Sequence, residues 1–325
     1  MSDTRESELA DIELPRKLLR ARENFIAGPG LASFTSRFGT AFPTPRFLES
    51  ELGTTAVYSL APPSGRPQRR VLLIHGLNTP ALGLLPLAAR LQALDGDAHV
   101  VLFDLWGHGL SGTPLVAHAA AIFHAQILQV LGFLRWPSAH LLGYSFGAAM
   151  LAKFALCNPW AVDSAALLAP AGVIDTALFG DRLRGLLLAA DRAGSEPEAR
   201  EAVFAFLEGG PLVVPPDWEE RARRGEVVAE ALRDWELSEH PGYRHSVFSM
   251  FREGNVYGCE DDFGRFARLP GKNVVVLGEL DEVCRREKLV DLGFEHVEVV
   301  EGAGHGVVRT QPGEVARIVY GMWTR

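Results

Sequence analysis

Cysteine is scarce in this 325-residue chain, which has only Cys157, Cys259 and Cys284. They are widely spaced, odd in number and lack a C-x-x-C pair, so we expect neither a disulfide framework nor a zinc site, and a reducing compartment is favoured. The acidic, polar N-terminus does not resemble a secretory signal. No run approaches the ~18 apolar residues of a transmembrane helix. These absences predict a cytoplasmic protein with no membrane span.

Clustered positive charge is also missing. The formal net charge is −8, and neither an acidic tail nor a block of lysines is present. Because binding to a phosphate backbone needs clustered positive charge, nucleic acid is not expected as a partner. No G-x-G-x-x-G motif follows a strand and no P-loop occurs, so no cofactor and no metal are predicted. The expected partner is a small-molecule substrate.

Continuous apolar runs are the strongest structural signal. They are VLLIHG, AHVVLFDLWGHG, AHLLGYS, SAALLAPAG, NVVVLGELD and HVEVVEGAGHG. Runs without alternation are typical of strands covered on both faces in a parallel sheet. Helical patterns separate them at Leu82–Leu94, Ala117–Trp136, Gly147–Cys157 and Pro312–Met322. This βα alternation predicts an α/β fold with an open, mostly parallel sheet flanked by helices.

Two segments depart from the alternation, and they set the predicted domains. Residues 1–48 are expected to form an N-terminal helix over Glu6–Ala27 and then an irregular arm, which could pack on the core, cover the site or form a homodimer. The stretch from Phe47 to Pro62 alternates like a β-hairpin. The pattern of residues 173–254 predicts helices. We expect them to form a helical cap inserted into a core of residues 49–172 and 255–325.

A G-x-S-x-G motif, Gly143-Tyr144-Ser145-Phe146-Gly147, lies between an apolar strand and a helix. A strand that runs straight into a helix makes a sharp turn and projects the residue at its apex outward. The close approach of strand and helix requires small residues two positions before and after that apex. The helix N-terminus also directs free N–H groups toward the apex. Ser145 is therefore the predicted nucleophile.

A serine hydroxyl needs a base, and the base needs an orienting acid. His305 follows the last predicted strand between two glycines, and Asp281 follows the preceding strand by a short turn. The chain order Ser145, Asp281, His305 is that of a nucleophile-elbow hydrolase. Weaker candidates for the acid are Glu279, Glu282 and Asp175. The other histidines are interpreted as loop-shaping, surface or packing residues.

Negative charge that develops on a carbonyl oxygen needs N–H donors. The backbone N–H groups of Phe146 and Leu77 are the predicted oxyanion hole. Candidates for substrate contact are His75 (also interpreted as a loop-shaping residue), Asn78, Tyr144, Phe179 and Leu183. Three arginines of the helical segment are candidates for binding a substrate carboxylate, although a solvated helix face is favoured for them: Arg182, Arg184 and Arg192.

The motifs HGLN, DLWGHGLSG, GYSFGA, LLAPAG, GELDEV and GAGHG occur in the order and spacing of the α/β-hydrolase superfamily. The resemblance covers residues 57–323, with Ala148 where a further glycine is common. It implies that Ser145 is the nucleophile, Asp281 the acid and His305 the base, with Leu77 and Phe146 as oxyanion donors. Members with aspartate at the elbow are epoxide hydrolases and dehalogenases, and the serine argues against both chemistries.

The predicted function is that of a serine hydrolase cleaving an ester or lactone of a small apolar or aromatic molecule through an acyl-enzyme. One alternative is a C–C bond hydrolase of the meta-cleavage-product type, which would need a buried polar site for a dienol carboxylate. The other alternative is a ligand-binding member of the fold without turnover, which an intact triad argues against.

Overall fold

An eight-stranded sheet forms the centre of the computed structural model, which describes residues 24–65, 67–188, 196–254 and 256–325. The strands in these ranges are β1 Phe25–Ile26, β2 Arg46–Ser50, β3 Gly53–Leu60, β4 Arg69–Ile74, β5 Ala98–Phe103, β6 Thr113–Pro114, β7 Ala139–Tyr144, β8 Val162–Leu168, β9 Lys272–Gly278 and β10 Val297–Val300. The large sheet has the order β10-β9-β8-β7-β4-β5-β3-β2. Adjacent strands from β10 through β5 in this order are parallel to each other. Strand β3 is antiparallel to both β5 and β2.

Helices cover the sheet on both faces. They are α1 Leu31–Phe38, α2 Leu85–Leu94, α3 Ala120–Leu134, α4 Phe146–Cys157, α5 Gly180–Leu188, α6 Glu196–Glu208, α7 Trp218–Arg223, α8 Ala229–Glu239, α9 Tyr243–Glu253, α10 Glu260–Ala267, α11 Arg286–Asp291, α12 Val307–Thr310 and α13 Pro312–Thr324. Short 3-10 helices occupy Ala81–Leu84, Pro159–Ala161 and Thr176–Phe179. The last four residues of β4, from Val71 to Ile74, are completely buried, as a strand covered on both faces requires.

The predicted α/β fold is confirmed, and each of the six apolar runs contains a strand of the sheet. The alternating segment is the predicted hairpin, with β2 paired to β3 in antiparallel register. No helix in the described ranges is long and apolar enough to cross a membrane.

The N-terminal prediction was wrong where it can be compared. Most of the predicted helix over Glu6–Ala27 lies outside the described residues, but Phe25–Ile26 is a strand paired with β6. The segment predicted to be irregular contains helix α1. Phe34 and Phe38 lie one turn apart on α1 and pack their rings against Trp235 of α8. These distant aromatic contacts stabilise a helix that local periodicity did not indicate.

Between β8 and β9 every described element is a helix, from the 3-10 turn at Thr176 to α10. Residues 173–254, called the helical segment below, include α9, which the sequence analysis did not single out as a separate helix. Most of α9 is buried, including Tyr243, Val247, Phe248 and Phe251. Its Tyr243 and Phe204 of α6 bring their rings within 6.3 Å, so the helical segment has a small core of its own.

Candidate active site

Ser145 lies at the apex of the turn between β7 and α4, with the unusual backbone angles φ 53° and ψ −115°. Its own N–H donates to the carbonyl of Leu168 at the end of β8, at 2.9 Å. A Cβ on Gly143 would lie 2.3 Å from the carbonyl oxygen of Gly147. A Cβ on Gly147 would lie 2.3 Å from the carbonyl oxygen of Ile74. Both glycines are therefore needed for helix α4 to approach the sheet this closely.

Replacing Gly147 with alanine is expected to destabilise the protein by about 3 kcal/mol or more, because the new methyl group meets rigid backbone of β4. Urea unfolding followed by circular dichroism measures the effect. The matched control is Gly321→Ala in α13, where a Cβ would meet nothing within 4 Å. That control is expected to be neutral or to stabilise the helix by up to about 1 kcal/mol. Equal stability of the two variants would contradict the packing argument.

The predicted triad residues lie together. His305 Nε2 is 3.0 Å from Ser145 Oγ, and His305 Nδ1 is 3.2 and 3.1 Å from the two carboxylate oxygens of Asp281. A carboxylate only accepts, so Nδ1 carries the proton and Nε2 is left to accept from the serine hydroxyl. The Asp281 side chain is completely buried, and its Oδ1 also accepts from the N–H of Val283 at 2.8 Å.

The alternative acids lie elsewhere or have other partners. Glu279 accepts from the N–H of Gly302 at 2.9 Å, and Glu282 is exposed. Asp175 accepts from the N–H of Ala177 at 2.9 Å and so caps the 3-10 helix at Thr176–Phe179. Of the four candidates, Asp281 is the one that contacts His305 in the described structure.

His75 shapes the loop that follows β4. Its Nδ1 lies 2.7 Å from the Gly76 carbonyl oxygen, and its Nε2 accepts from the N–H of Leu105 at 2.8 Å. A carbonyl only accepts, so the ring is neutral and protonated on Nδ1. Burial, followed by the nearby His108 imidazole, holds the His75 pKa well below its usual value. The carbonyl of Gly76 and the N–H of Leu77 belong to one trans peptide bond and point in opposite directions. Because the carbonyl points to His75, the N–H of Leu77 points away from it.

His108 fixes the next peptide of the same loop. Its Nε2 donates to the Leu77 carbonyl at 2.7 Å, and burial lowers the pKa of His108 to about 4. The loop is therefore held by two neutral imidazoles. On the opposite side, Phe146 is the first residue of helix α4, so its N–H has no acceptor within the helix.

A cavity of about 230 Å³ opens onto Ser145 and His305. It is lined by Leu77, Asn78, Thr79, Tyr144, Ser145, Ala171, Ile174, Phe206, Leu207, Phe251, Val256, Val283, His305 and Arg309. Of the predicted contact residues, Asn78 and Tyr144 line it. His75, Phe179 and Leu183 do not, and the Phe179 ring packs behind Phe206 and Phe251, with centroids 5.0 and 5.4 Å away.

Sequence analysis missed Arg309 and Phe251 as lining residues. Arg309 follows His305 by four residues and is carried into the cavity wall by α12. The signal that could have indicated Arg309 is its spacing of one helical turn from His305. Phe251 belongs to helix α9. No group of three or more metal-ligating side chains occurs among the residues that the structure describes.

Comparisons with known proteins agree with this architecture. Residues 71–318 match the model of the alpha/beta hydrolase family. A human serine hydrolase-like protein is 34% identical over 131 residues, which are 38% of this chain and 59% of that relative. Monoacylglycerol lipase abhd6-A of Xenopus laevis is 22% identical over 78% of this chain and 76% of the lipase. The solved enol-lactonase of Burkholderia xenovorans superposes with a TM-score of 0.62 at 17% identity, covering 86% of this chain and 100% of the lactonase. The chain belongs to the alpha/beta hydrolase family.

Proposed function

We propose that this protein is a serine hydrolase that cleaves an ester or lactone of a small apolar or aromatic molecule. The observation that carries the proposal is the hydrogen-bonded chain from Ser145 Oγ through His305 to the buried Asp281, which opens onto a cavity. A serine at a strained turn, a base within hydrogen-bond distance and an orienting carboxylate are the parts that nucleophilic catalysis needs.

In the proposed reaction, Ser145 Oγ attacks the substrate carbonyl while His305 Nε2 takes the hydroxyl proton. The N–H groups of Phe146 and Leu77 stabilise the charge on the carbonyl oxygen. His305 then gives its proton to the departing alkoxide, which leaves an acyl group on Ser145. A water that His305 deprotonates then attacks the acyl carbonyl, the bond to Ser145 Oγ breaks, and His305 returns the proton to that oxygen as the acid is released. Asp281 stabilises the imidazolium formed in both steps.

The walls of the cavity favour an apolar substrate. Apolar side chains from the helical segment, Phe206, Leu207 and Phe251, face those of the core, such as Leu77 and Val283. We therefore propose that residues 173–254 act as a cap that closes the site. Concave, mostly apolar pockets with a few polar groups are typical of sites for small molecules.

The proposal is tested with p-nitrophenyl esters from acetate to decanoate and with a fluorophosphonate. We expect ester hydrolysis with a preference for the shorter chains, because the cavity has a volume of about 230 Å³. The fluorophosphonate should inactivate the enzyme by phosphonylating Ser145 with loss of fluoride, and peptide mass spectrometry locates the adduct. A folded protein that neither turns over these esters nor reacts at Ser145 would contradict the proposal.

A further inference from the structure

Arg309 places a positive charge in the wall of the catalytic cavity. Apart from His305, Arg309 is the one basic residue among the described residues that line the cavity. No aspartate or glutamate is among them. The arginines singled out from the sequence are paired instead. Arg182 lies 2.9 Å from Glu198 and Arg184 lies 2.6 Å from Asp181, while Arg192 falls outside the described residues.

The Arg309 guanidinium has an open hydrogen-bonding capacity. Its Nη1 is buried and has no hydrogen-bond partner in the described structure. A buried donor without an acceptor is costly, and the cost is larger when the donor is charged. Nη1 is shielded in the described structure, so a substrate oxygen would reach it after a shift of the flexible Arg309 side chain toward the cavity, and that contact would remove the cost. An anionic oxygen would remove the most, since charge-assisted hydrogen bonds are about twice as strong as neutral ones.

Tyr144 fixes the position of this cation relative to the triad. The Arg309 Cζ lies 5.5 Å from the centroid of the Tyr144 ring, within the range of a cation–π contact. The Tyr144 hydroxyl donates to the carbonyl of His305 at 3.2 Å. Tyr144 also directly precedes Ser145 in the chain. The contact with Tyr144 therefore keeps the guanidinium beside the reacting groups.

We propose that Arg309 binds a carboxylate of the substrate, so that the substrate class is an ester or lactone that bears a carboxylate beside an apolar body. A planar guanidinium matches a singly charged, planar carboxylate. The apolar body would contact Ile174, Phe206 and Phe251. The inference rests on the proposed function and names the substrate class of the same site.

The test uses two pairs of esters that differ in one carboxylate. On the acyl side, p-nitrophenyl hydrogen adipate is compared with its methyl ester. On the alcohol side, 3-carboxyphenyl butyrate is compared with its methyl ester. The quantity measured is the ratio of kcat/KM for the anionic ester to kcat/KM for the neutral one. Arg309→Met removes the positive charge, and Arg309→Lys keeps the charge but lacks the planar guanidinium group. Arg182→Met removes an exposed arginine of α5 and is the matched control.

We expect Arg309→Met to lower the ratio for at least one pair by about 10- to 100-fold, and Arg309→Lys to lower it less. The ratio of Arg182→Met should equal that of the wild type. Intrinsic reactivities of the esters cancel because the same pair is compared in each variant. An unchanged ratio for both pairs in Arg309→Met would overturn the inference, while serine-dependent hydrolysis of the neutral esters would leave the proposed function standing.

A binding measurement tests the role of Arg309 without depending on catalytic turnover. Monomethyl adipate is titrated calorimetrically into Ser145→Ala and into the double variant Ser145→Ala/Arg309→Met. Weaker binding to the double variant supports the role of Arg309, and equal binding overturns it. Thermal unfolding of each variant shows whether its fold is retained.

Discussion

Ser145→Ala is expected to lower kcat for p-nitrophenyl butyrate by on the order of 10⁴- to 10⁶-fold. The hydroxyl is the group that His305 Nε2 contacts at 3.0 Å, and alanine leaves no nucleophile at the apex of the turn. The residual rate would come from binding and from the proposed N–H donors, which the substitution does not remove. Steady-state kinetics with a highly purified variant measures the loss, because traces of wild-type enzyme would otherwise set the apparent rate.

The control for this substitution is Ser36→Ala, which removes an exposed serine hydroxyl on α1. Its kcat should be close to that of the wild type, and both variants should unfold near the wild-type temperature. A Ser145→Ala protein that is folded and keeps a tenth or more of the activity would exclude an acyl-enzyme on this serine. A general-base attack by water would then have to be considered for His305.

Asp281→Asn is expected to lower kcat by about 10³- to 10⁴-fold with little change in KM. Asp281 Oδ1 accepts from the N–H of Val283 at 2.8 Å, so the amide oxygen of asparagine would keep that place and Nδ2 would face His305. An amide nitrogen donates, which would leave the imidazole protonated on Nε2, facing the serine. In that tautomer His305 is no longer able to take the proton of Ser145.

Asp175→Asn provides the matched control, since Asp175 is an exposed aspartate that caps a 3-10 helix. It should retain kcat near the wild-type value. If Asp281→Asn stayed active while Glu279→Gln or Glu282→Gln lost activity, the orienting acid would have to be assigned to one of those glutamates. The two outcomes are separated by the same ester assay.

Ser145→Ala and Asp281→Asn remove different members of one hydrogen-bonded chain, and their effects on kcat should not be additive. Once Ser145 is absent, the tautomer of His305 has no serine proton to control, so Ser145→Ala/Asp281→Asn should be about as inactive as Ser145→Ala alone. An additive loss in the double variant would mean that Asp281 acts on the reaction by a route that does not pass through His305.

The sequence by itself determined the strands, the turn at Ser145 and the order of the three predicted triad residues. Continuous apolar runs indicate strands that are buried on both faces, and the two glycines around Ser145 indicate the close approach of β7, α4 and β4. Both signals come from residues that are neighbours in the chain. The same locality explains the error near the N-terminus. Phe34 and Phe38 form a helix because they pack against Trp235, far along the chain.

Only the tertiary structure decided which side chains line the cavity at Ser145. Phe179 was predicted to contact the substrate, yet its ring does not line the cavity and packs against Phe206 and Phe251, which do. Arg309, which α12 carries into the cavity wall, contacts the ring of Tyr144, a residue far away in the chain. Periodicity indicates that a residue is buried, but not what it is buried against. The neighbours are set by how helices from separate parts of the chain meet over the sheet.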